Sequence, residues 1–336
     1  MLTVTVLGVV ASPVILAAVV TADFATRRFH LPTVRTAVFL LQYAINDSIE
    51  IVAAPVYWMM AGFGSTLDQP KSRRRHERLQ QWSLDVMARR AEKLLGLRLD
   101  ISPDLSDVLR PGPVIVLCRH VNLIDASLPT LLCRRLGMQT RGMIMAELLA
   151  DPGFDLIYGR TGSVFIPREH GPEALAMVAR LSEGVDSNTA IVVFPEGRLF
   201  RPERLERART RLAEENPERA IRLAPLRHVL PPRPGGVLAL LDAIPEADVV
   251  FIVHTGLEHF GSFGELARAV PLDDQIHVDG WRVPEAEIPA DDVARIRWLD
   301  EQWLRVDRHV GTRLDEEPVS PQVIAVRGEA QGPAHR

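Results

Sequence analysis

His120 and Asp125 stand five positions apart in Cys118-Arg119-His120-Val121-Asn122-Leu123-Ile124-Asp125, and these two residue types can share a proton. Five helical steps turn through about 500°, which leaves the two side chains about 140° apart. A regular helix therefore cannot pair them, whereas a loop can. On a loop the carboxylate can hold one imidazole nitrogen while the other takes a proton from a hydroxyl, as in the His/Asp half of a hydrolase triad. The same spacing also fits a plainer arrangement, in which Asn122 or Asp125 caps a helix and His120 is merely part-buried.

Two further stretches set glycine near arginine. Gly162-Ser163-Val164-Phe165-Ile166-Pro167-Arg168 reads either as a glycine-led strand whose terminal cation grips a phosphate or as a core strand with a solvated arginine. Ile191-Val192-Val193-Phe194-Pro195-Glu196-Gly197-Arg198 runs an apolar strand into a Pro-Glu-Gly turn, with Arg201 and Arg204 behind it. Gly197 allows close backbone approach to a ligand, and the arginines can complete an anion site. A tight turn with a solvated charged face is the alternative.

These loops need strands and helices to hold them. Short apolar runs at 114–118, 143–146, 163–166, 190–194 and 248–254 read as strands, and helical patterns fall between them at about 126–136, 172–181, 204–213 and 237–244. Such alternation implies an α/β fold, a mostly parallel sheet flanked by helices. Ile296, Leu299, Trp303, Val306 and Val310 mark one face of a C-terminal helix. The chain divides into a membrane-anchoring helical region at 1–70, a basic amphipathic helix at 71–98, an α/β domain with its C-terminal helix at 99–315, and a flexible tail at 316–336.

The first 22 residues carry no charge and are long enough, as a helix, to cross about 30 Å of hydrocarbon. A cleaved signal peptide is the competing reading, but no Lys or Arg precedes the apolar run. In the second apolar stretch, 37–63, Asn46, Asp47, Ser48 and Glu50 interrupt the run, and each central acid costs about 2.5–3.5 kcal/mol of insertion. Arginines flank it on both sides, at Arg27, Arg28 and Arg35 and then at Arg73, Arg74, Arg75 and Arg78. A re-entrant or interface-lying helical hairpin is expected there, with a polar kink buried in a protein bundle as the alternative. From Ser72 to Leu95 an apolar stripe of Leu79, Trp82, Val86, Met87, Ala91 and Leu94 opposes a basic face, which suits either anionic headgroups or packing on the globular domain.

Composition narrows the classes. With 336 residues, 47% hydrophobic and 24% charged, the chain can build a sizeable core, and a net charge of −4 argues against nucleic acid as a partner. Only Cys118 and Cys133 are present, too few for a disulfide framework or a thiolate zinc site, so both are expected to be buried hydrophobes. Of the 39 basic residues, only Lys71 and Lys93 are lysines, so phosphate and carboxylate recognition would fall to arginine forks.

In order along the chain, the three constellations resemble the motifs of the membrane-bound glycerolipid acyltransferase family, whose best-known members are the 1-acylglycerol-3-phosphate acyltransferases. The family's His-x4-Asp motif falls on His120 and Asp125, its Gly-x-x-Phe-Ile-x-Arg motif on Gly162, Phe165, Ile166 and Arg168, and its Phe-Pro-Glu-Gly motif on Phe194 to Gly197. The resemblance implies transfer of a fatty acyl chain from acyl-CoA or acyl carrier protein to the free hydroxyl of a lysophospholipid. His120 would be the general base and Asp125 its orienting partner, while Gly162, Arg168, Glu196, Gly197 and Arg198 would shape the acceptor site. It implies no cofactor and no metal beyond the thioester co-substrate, membrane lipids as partners, and a membrane location with the catalytic domain on the cytoplasmic face. Three departures stand out: Arg119 replaces the family's usual Asn, Arg198-Leu199 replaces Thr-Arg, and the family's apolar strand ending in Pro is only loosely echoed by Val249 to His254. The stretch 228–236 is similar to a segment of the lysocardiolipin branch, which brings in Arg233.

Four other readings compete. A serine hydrolase would need a Gly-x-Ser-x-Gly elbow, and Gly261-Ser262-Phe263-Gly264 lacks that spacing. A metal hydrolase built on His254 and His259 lacks a His-Glu-x-x-His pattern. A thioesterase would use water in place of the acceptor, and a non-catalytic lipid-binding module would keep the fold alone.

Overall fold

The computed structural model describes residues 2–316, apart from 68, 123, 151, 167–176, 179, 259–262 and 273–274. Its centre is a seven-stranded sheet. The strands are β1 (Arg98–Ile101), β2 (Val114–Cys118), β3 (Gln139–Met145), β4 (Val164–Ile166), β5 (Thr189–Val193), β6 (Asp248–Thr255) and β7 (Gln275–Val283), in the spatial order β1-β7-β6-β2-β5-β3-β4. Strands β6, β2, β5, β3 and β4 run parallel; β7 lies antiparallel to β6, and β1 runs parallel to β7. The mostly parallel sheet is thus as expected, with an antiparallel margin that the sequence pattern did not reveal.

Both β2 and β5 are buried at every position, which is why they read as unbroken apolar runs: helices cover both faces of a parallel sheet. Alternate side chains then feed two cores. Ile115, Leu117, Ile191, Val193, Val249 and Phe251 face one layer, and Val114, Val116, Ala190, Val192, Val250 and Ile252 face the other. Cys118 and Cys133 are free and lie in the second core, where burial pushes both thiols well up.

The helices are α1 (Leu2–Ala25), α2 (Pro32–Met60), α3 (Pro70–Arg90), α4 (Leu105–Val108), α5 (Leu128–Arg135), α6 (Pro152–Tyr158), α7 (Pro202–Glu215), α8 (Pro217–Leu223), α9 (Pro234–Ala243), α10 (Phe263–Ala269) and α11 (Asp292–Glu316). Most of the helical stretch expected at 172–181 lies outside the described residues. Leu299, Trp303, Val306 and Val310 bury the expected face of α11. The expected tail, 316–336, lies outside the described residues after Glu316.

At the N-terminus two helices, Gly8–Ala25 and Pro32–Met60, are long and apolar enough to cross a membrane. They fold against each other. Buried Asp23, near the end of α1, accepts the free N–H groups of Thr33 and Val34 at 3.0 and 3.1 Å, serving as a long-range cap for α2. The hairpin expected within 37–63 is not formed, because α2 runs through that stretch as one helix. Asn46, Asp47 and Glu50 are buried against the protein, so they need no break in the helix to reach water. Asn46 Nδ2 donates to Glu50 Oε1 and to Ser83 Oγ, both at 2.8 Å, and Ser83 donates to the same carboxylate at 2.5 Å. A Cβ at Gly153 would meet Asp47 Oδ1 at 2.0 Å, so the glycine leaves room for the Asp47 carboxylate where α6 meets α2.

Helix α3, expected to face either anionic headgroups or the globular domain, packs one side on α2. It buries a polar row, Ser72, His76, Gln80 and Ser83, and leaves Trp82 of its apolar stripe exposed. Ser83 finds polar partners in Asn46 and Glu50 of α2, and Gln80 finds one in Thr161, which lets a polar face be buried.

Candidate active site

The strands place the chemistry-bearing loops together. β2 lies between β5 and β6, and all three parallel strands end at the same edge, where ligands bind in open α/β sheets. From the end of β2 the chain enters a loop rather than a helix, and Asp125 comes back onto it within a short turn of 3-10 helix, Ile124–Ser127. Asp125 Oδ1 receives His120 Nδ1 at 2.5 Å, and Oδ2 receives the backbone N–H groups of Val121 and Asn122 at 2.6 and 2.9 Å. The loop is therefore wound around the carboxylate, and the pairing arrangement, not the helix cap, is what forms.

Asp125 is fully buried while the His120 side chain keeps 17% of its surface exposed. With Nδ1 committed to Asp125, Nε2 is the nitrogen left for a substrate. Burial pushes the Asp125 carboxyl up, but its hydrogen bonds with His120 and His254 outweigh it and hold the group well below the usual carboxylate range. Phe194 packs its ring 4.6 Å from the His120 ring, centroid to centroid. Among the described residues no serine or cysteine hydrogen-bonds this imidazole.

Glu196 secures the same loop from the other side. It is buried; Oε1 accepts the His120 N–H at 2.9 Å and Oε2 accepts the Leu230 N–H at 2.7 Å, while Arg233 N donates to the Pro195 carbonyl at 2.8 Å. Burial pushes its carboxyl up to about 8, against the pull of those two donors and of Arg119. The stretch 227–230 is itself held by α11: Asp307 accepts the N–H groups of Arg227, His228 and Val229, and Trp303 Nε1 donates to the Leu230 carbonyl at 2.9 Å.

Gly197 has φ 65°, and a Cβ there would meet the Arg233 side chain at 3.2–3.3 Å, so the arginine lies directly over the glycine. Burial, then the nearby charges of Arg198 and Arg211, press the Arg233 guanidinium below its ordinary value, yet it stays charged. Among the described residues neither Arg198 nor Arg233 has an acidic partner within ion-pair distance. Arg201 and Arg204 are instead turned into the structure, donating to the carbonyls of Val121 and Leu199.

Residues 103–252 match the acyltransferase family model. A solved structure, the 1-acyl-sn-glycerophosphate acyltransferase PlsC from Thermotoga maritima, superposes with a TM-score of 0.50 at 16% identity, covering 84% of this chain and 100% of that one. That likeness is one of fold. Most of the α/β domain is thus similar in sequence pattern to acyltransferases and in fold to that enzyme. No curated protein matches the chain by sequence.

Within this fold the motif positions sort themselves spatially. His120, Asp125, Glu196 and Gly197 meet at the strand ends, with exposed Arg198 beside them. Gly162 does not join them: it precedes β4, has φ 94°, and leaves room for Arg141, whose guanidinium donates to the carbonyls of Leu181, Glu183 and Gly184. Arg168 lies outside the described residues, as does His259. Arg119, where the family has Asn, turns away from the cleft and is fully buried. It pairs with Glu258 at 2.5 Å and donates to the carbonyls of His254 and His228 at 2.6 and 3.2 Å. Sequence reasoning did not place His254 at the site, yet its Nε2 lies 3.4 Å from Asp125 Oδ2. The signal available was an imidazole closing an otherwise apolar strand, where burial demands a polar partner.

Proposed function

We propose that this acyltransferase moves a fatty acyl chain from the thioester of acyl-CoA or acyl carrier protein to the free hydroxyl of a lysophospholipid. The preferred acceptor is 1-acylglycerol-3-phosphate and the product phosphatidic acid. The observation that carries this reading is His120, oriented through Nδ1 by a buried carboxylate and open at Nε2, beside two arginines without acidic partners.

His120 Nε2 takes the proton of the acceptor hydroxyl as its oxygen attacks the thioester carbonyl. The carbon–sulfur bond then breaks, and the imidazolium returns the proton to the departing thiolate, so ester and thiol leave with charge and atoms balanced. Asp125 holds the ring and offsets its transient charge. Arg198 and Arg233, with Arg168, supply charge for the acceptor's phosphate, Gly197 gives it room, and Glu196 fixes the loop between them. No covalent enzyme intermediate is needed, because the acceptor is the nucleophile.

The apolar surfaces of α1 and α2, including Val10, Val14, Val52 and Met60, are exposed, as is Phe29 in the connection between them. They would hold the domain at the membrane, where both lipid substrates reside, with the catalytic domain on the cytoplasmic side as the flanking arginines favour.

The test is transfer of a labelled acyl group, from acyl-CoA or from acyl carrier protein, to a panel of lysophospholipids in membranes containing the chain, with free thiol followed in parallel. Acylated lipid formed fastest with the phosphate monoester acceptor supports the reading. Thiol release that needs no acceptor contradicts it and identifies a thioesterase.

A further inference from the structure

His254 lies one residue before the end of β6 and is 1% exposed. Its Nε2 faces two acceptors, the Arg119 carbonyl at 3.3 Å and Asp125 Oδ2 at 3.4 Å. Two acceptors in front of one nitrogen assign the proton to it. Its Nδ1 is buried without a hydrogen-bond partner among the described residues. A second proton there would be a buried donor with nowhere to go, so the neutral ring with hydrogen on Nε2 is the form that fits. Arg119 donates back to the His254 carbonyl at 2.6 Å, which clamps the end of β6 to the end of β2 and fixes the ring against Asp125.

Asp125 therefore stands between two imidazoles, His120 on Oδ1 and His254 on Oδ2. We propose that His254 is a positioning residue, which by donating to Oδ2 limits how tightly Oδ1 holds the His120 Nδ1 proton and so sets the basicity of Nε2. The proposal rests on the reading of His120 as the base. A carboxylate that loses one donor concentrates more charge on its other oxygen and stabilises the His120 imidazolium further. Removing the donor therefore raises the pH at which His120 becomes neutral.

The other charged groups near His254 are matched. Glu258, beyond the end of β6, pairs with Arg119. On the side of β1, β7 and α11, a polar cavity of about 140 Å³ borders His254. There Asp100 meets His277 at 2.6 Å, Asp279 meets His309 at 3.2 Å, and Arg313 completes the lining. None of these is altered in the test.

The test compares wild type, His254→Gln, His254→Phe and His120→Ala in the acyl-transfer assay from about pH 5 to pH 9, reading kcat, the acceptor KM and the acid limb of kcat/KM. The Gln amide nitrogen can take the place of Nε2, so His254→Gln is expected to keep kcat within about threefold and the limb in place. His254→Phe fills the space but cannot donate. It is expected to move the limb up by about half a pH unit with KM unchanged, which on that limb is about a threefold loss in kcat/KM. The limb does not depend on how much protein is folded, so a poorly folding His254→Phe still decides the matter. Equal losses in Gln and Phe with an unmoved limb would overturn the proposal and leave His254 a packing residue. If His120→Ala is inactive while His254→Phe keeps the wild-type limb, only the His254 proposal falls; if His120→Ala turns over like wild type, the base reading falls with it.

Discussion

Two walls of charge flank His120, and they are built on opposite terms. On the β6 side, Arg119 meets Glu258 at 2.5 Å, and Asp125 meets two imidazoles and two backbone N–H groups. On the Gly197 side, Arg198 and Arg233 are close enough to repel, and neither has an acidic partner among the described residues. Pairing offsets part of the cost of burying charge and makes losing either partner expensive, so the β6 wall is held in one arrangement. Repelling cations give up some stability, and they make sense where an anion arrives to occupy the gap.

The largest effect that would break this contrast concerns the residue between the walls. His120→Ala should cost about a thousandfold in kcat with acceptor KM little changed, since general-base catalysis contributes about 10²–10⁴. Next comes the paired wall. Arg119→Ala leaves Glu258 buried without its cation and should destabilise the fold by about 3 kcal/mol, read as a lowered unfolding midpoint in detergent. The unpaired wall should respond in the opposite sense. Arg233→Ala should raise the KM for a phosphate-bearing acceptor about 10- to 100-fold while leaving the midpoint unchanged or higher. If Arg233→Ala destabilises instead, the contrast is lost.

The smallest expected effect separates the two buried carboxylates. Asp125 is held below its unfolded value of 3.8, so its contribution to stability is present above that pH and disappears as pH falls. Glu196 is the reverse. Its folded value of about 8 lies above 4.5, so the unfolded chain ionises first and stability drops as pH rises from about 4.5 to about 8. Glu196→Gln forfeits one backbone acceptor at every pH but escapes that drop. Its midpoint should fall furthest below wild type near pH 5 and least near pH 8, as thermal unfolding across that range would show.

What the sequence made legible follows burial. β2, β5 and β6 announced themselves because both faces of each are covered, and the Trp303 face of α11 did so through its spacing. β1, with only four residues, and β7, which mixes Asp279 and Arg282 with apolar positions, carry no such run and were not foreseen. Helix α3 misled because its buried face is polar, and a polar face reads as solvent unless the partner on α2 is known. At the site, the spacing of His120 and Asp125 left a helix cap open as well, and it was the order of the three motifs along the chain that singled out His120, Asp125 and Glu196, each within a few residues of a strand end. His254 and Glu258 meet Asp125 and Arg119 only through the β2–β6 pairing, a contact across more than a hundred residues that no local spacing records.

The most direct test of the central claim measures acyl-lipid formation and thiol release side by side, with 1-acylglycerol-3-phosphate and acyl-CoA, for wild type and His120→Ala. The expected result is that product and thiol appear in equal amounts in wild type, stop when the acceptor is withheld, and both fall about a thousandfold in His120→Ala. Transfer that continues at the wild-type rate without His120, or thiol release that continues without an acceptor, would contradict it.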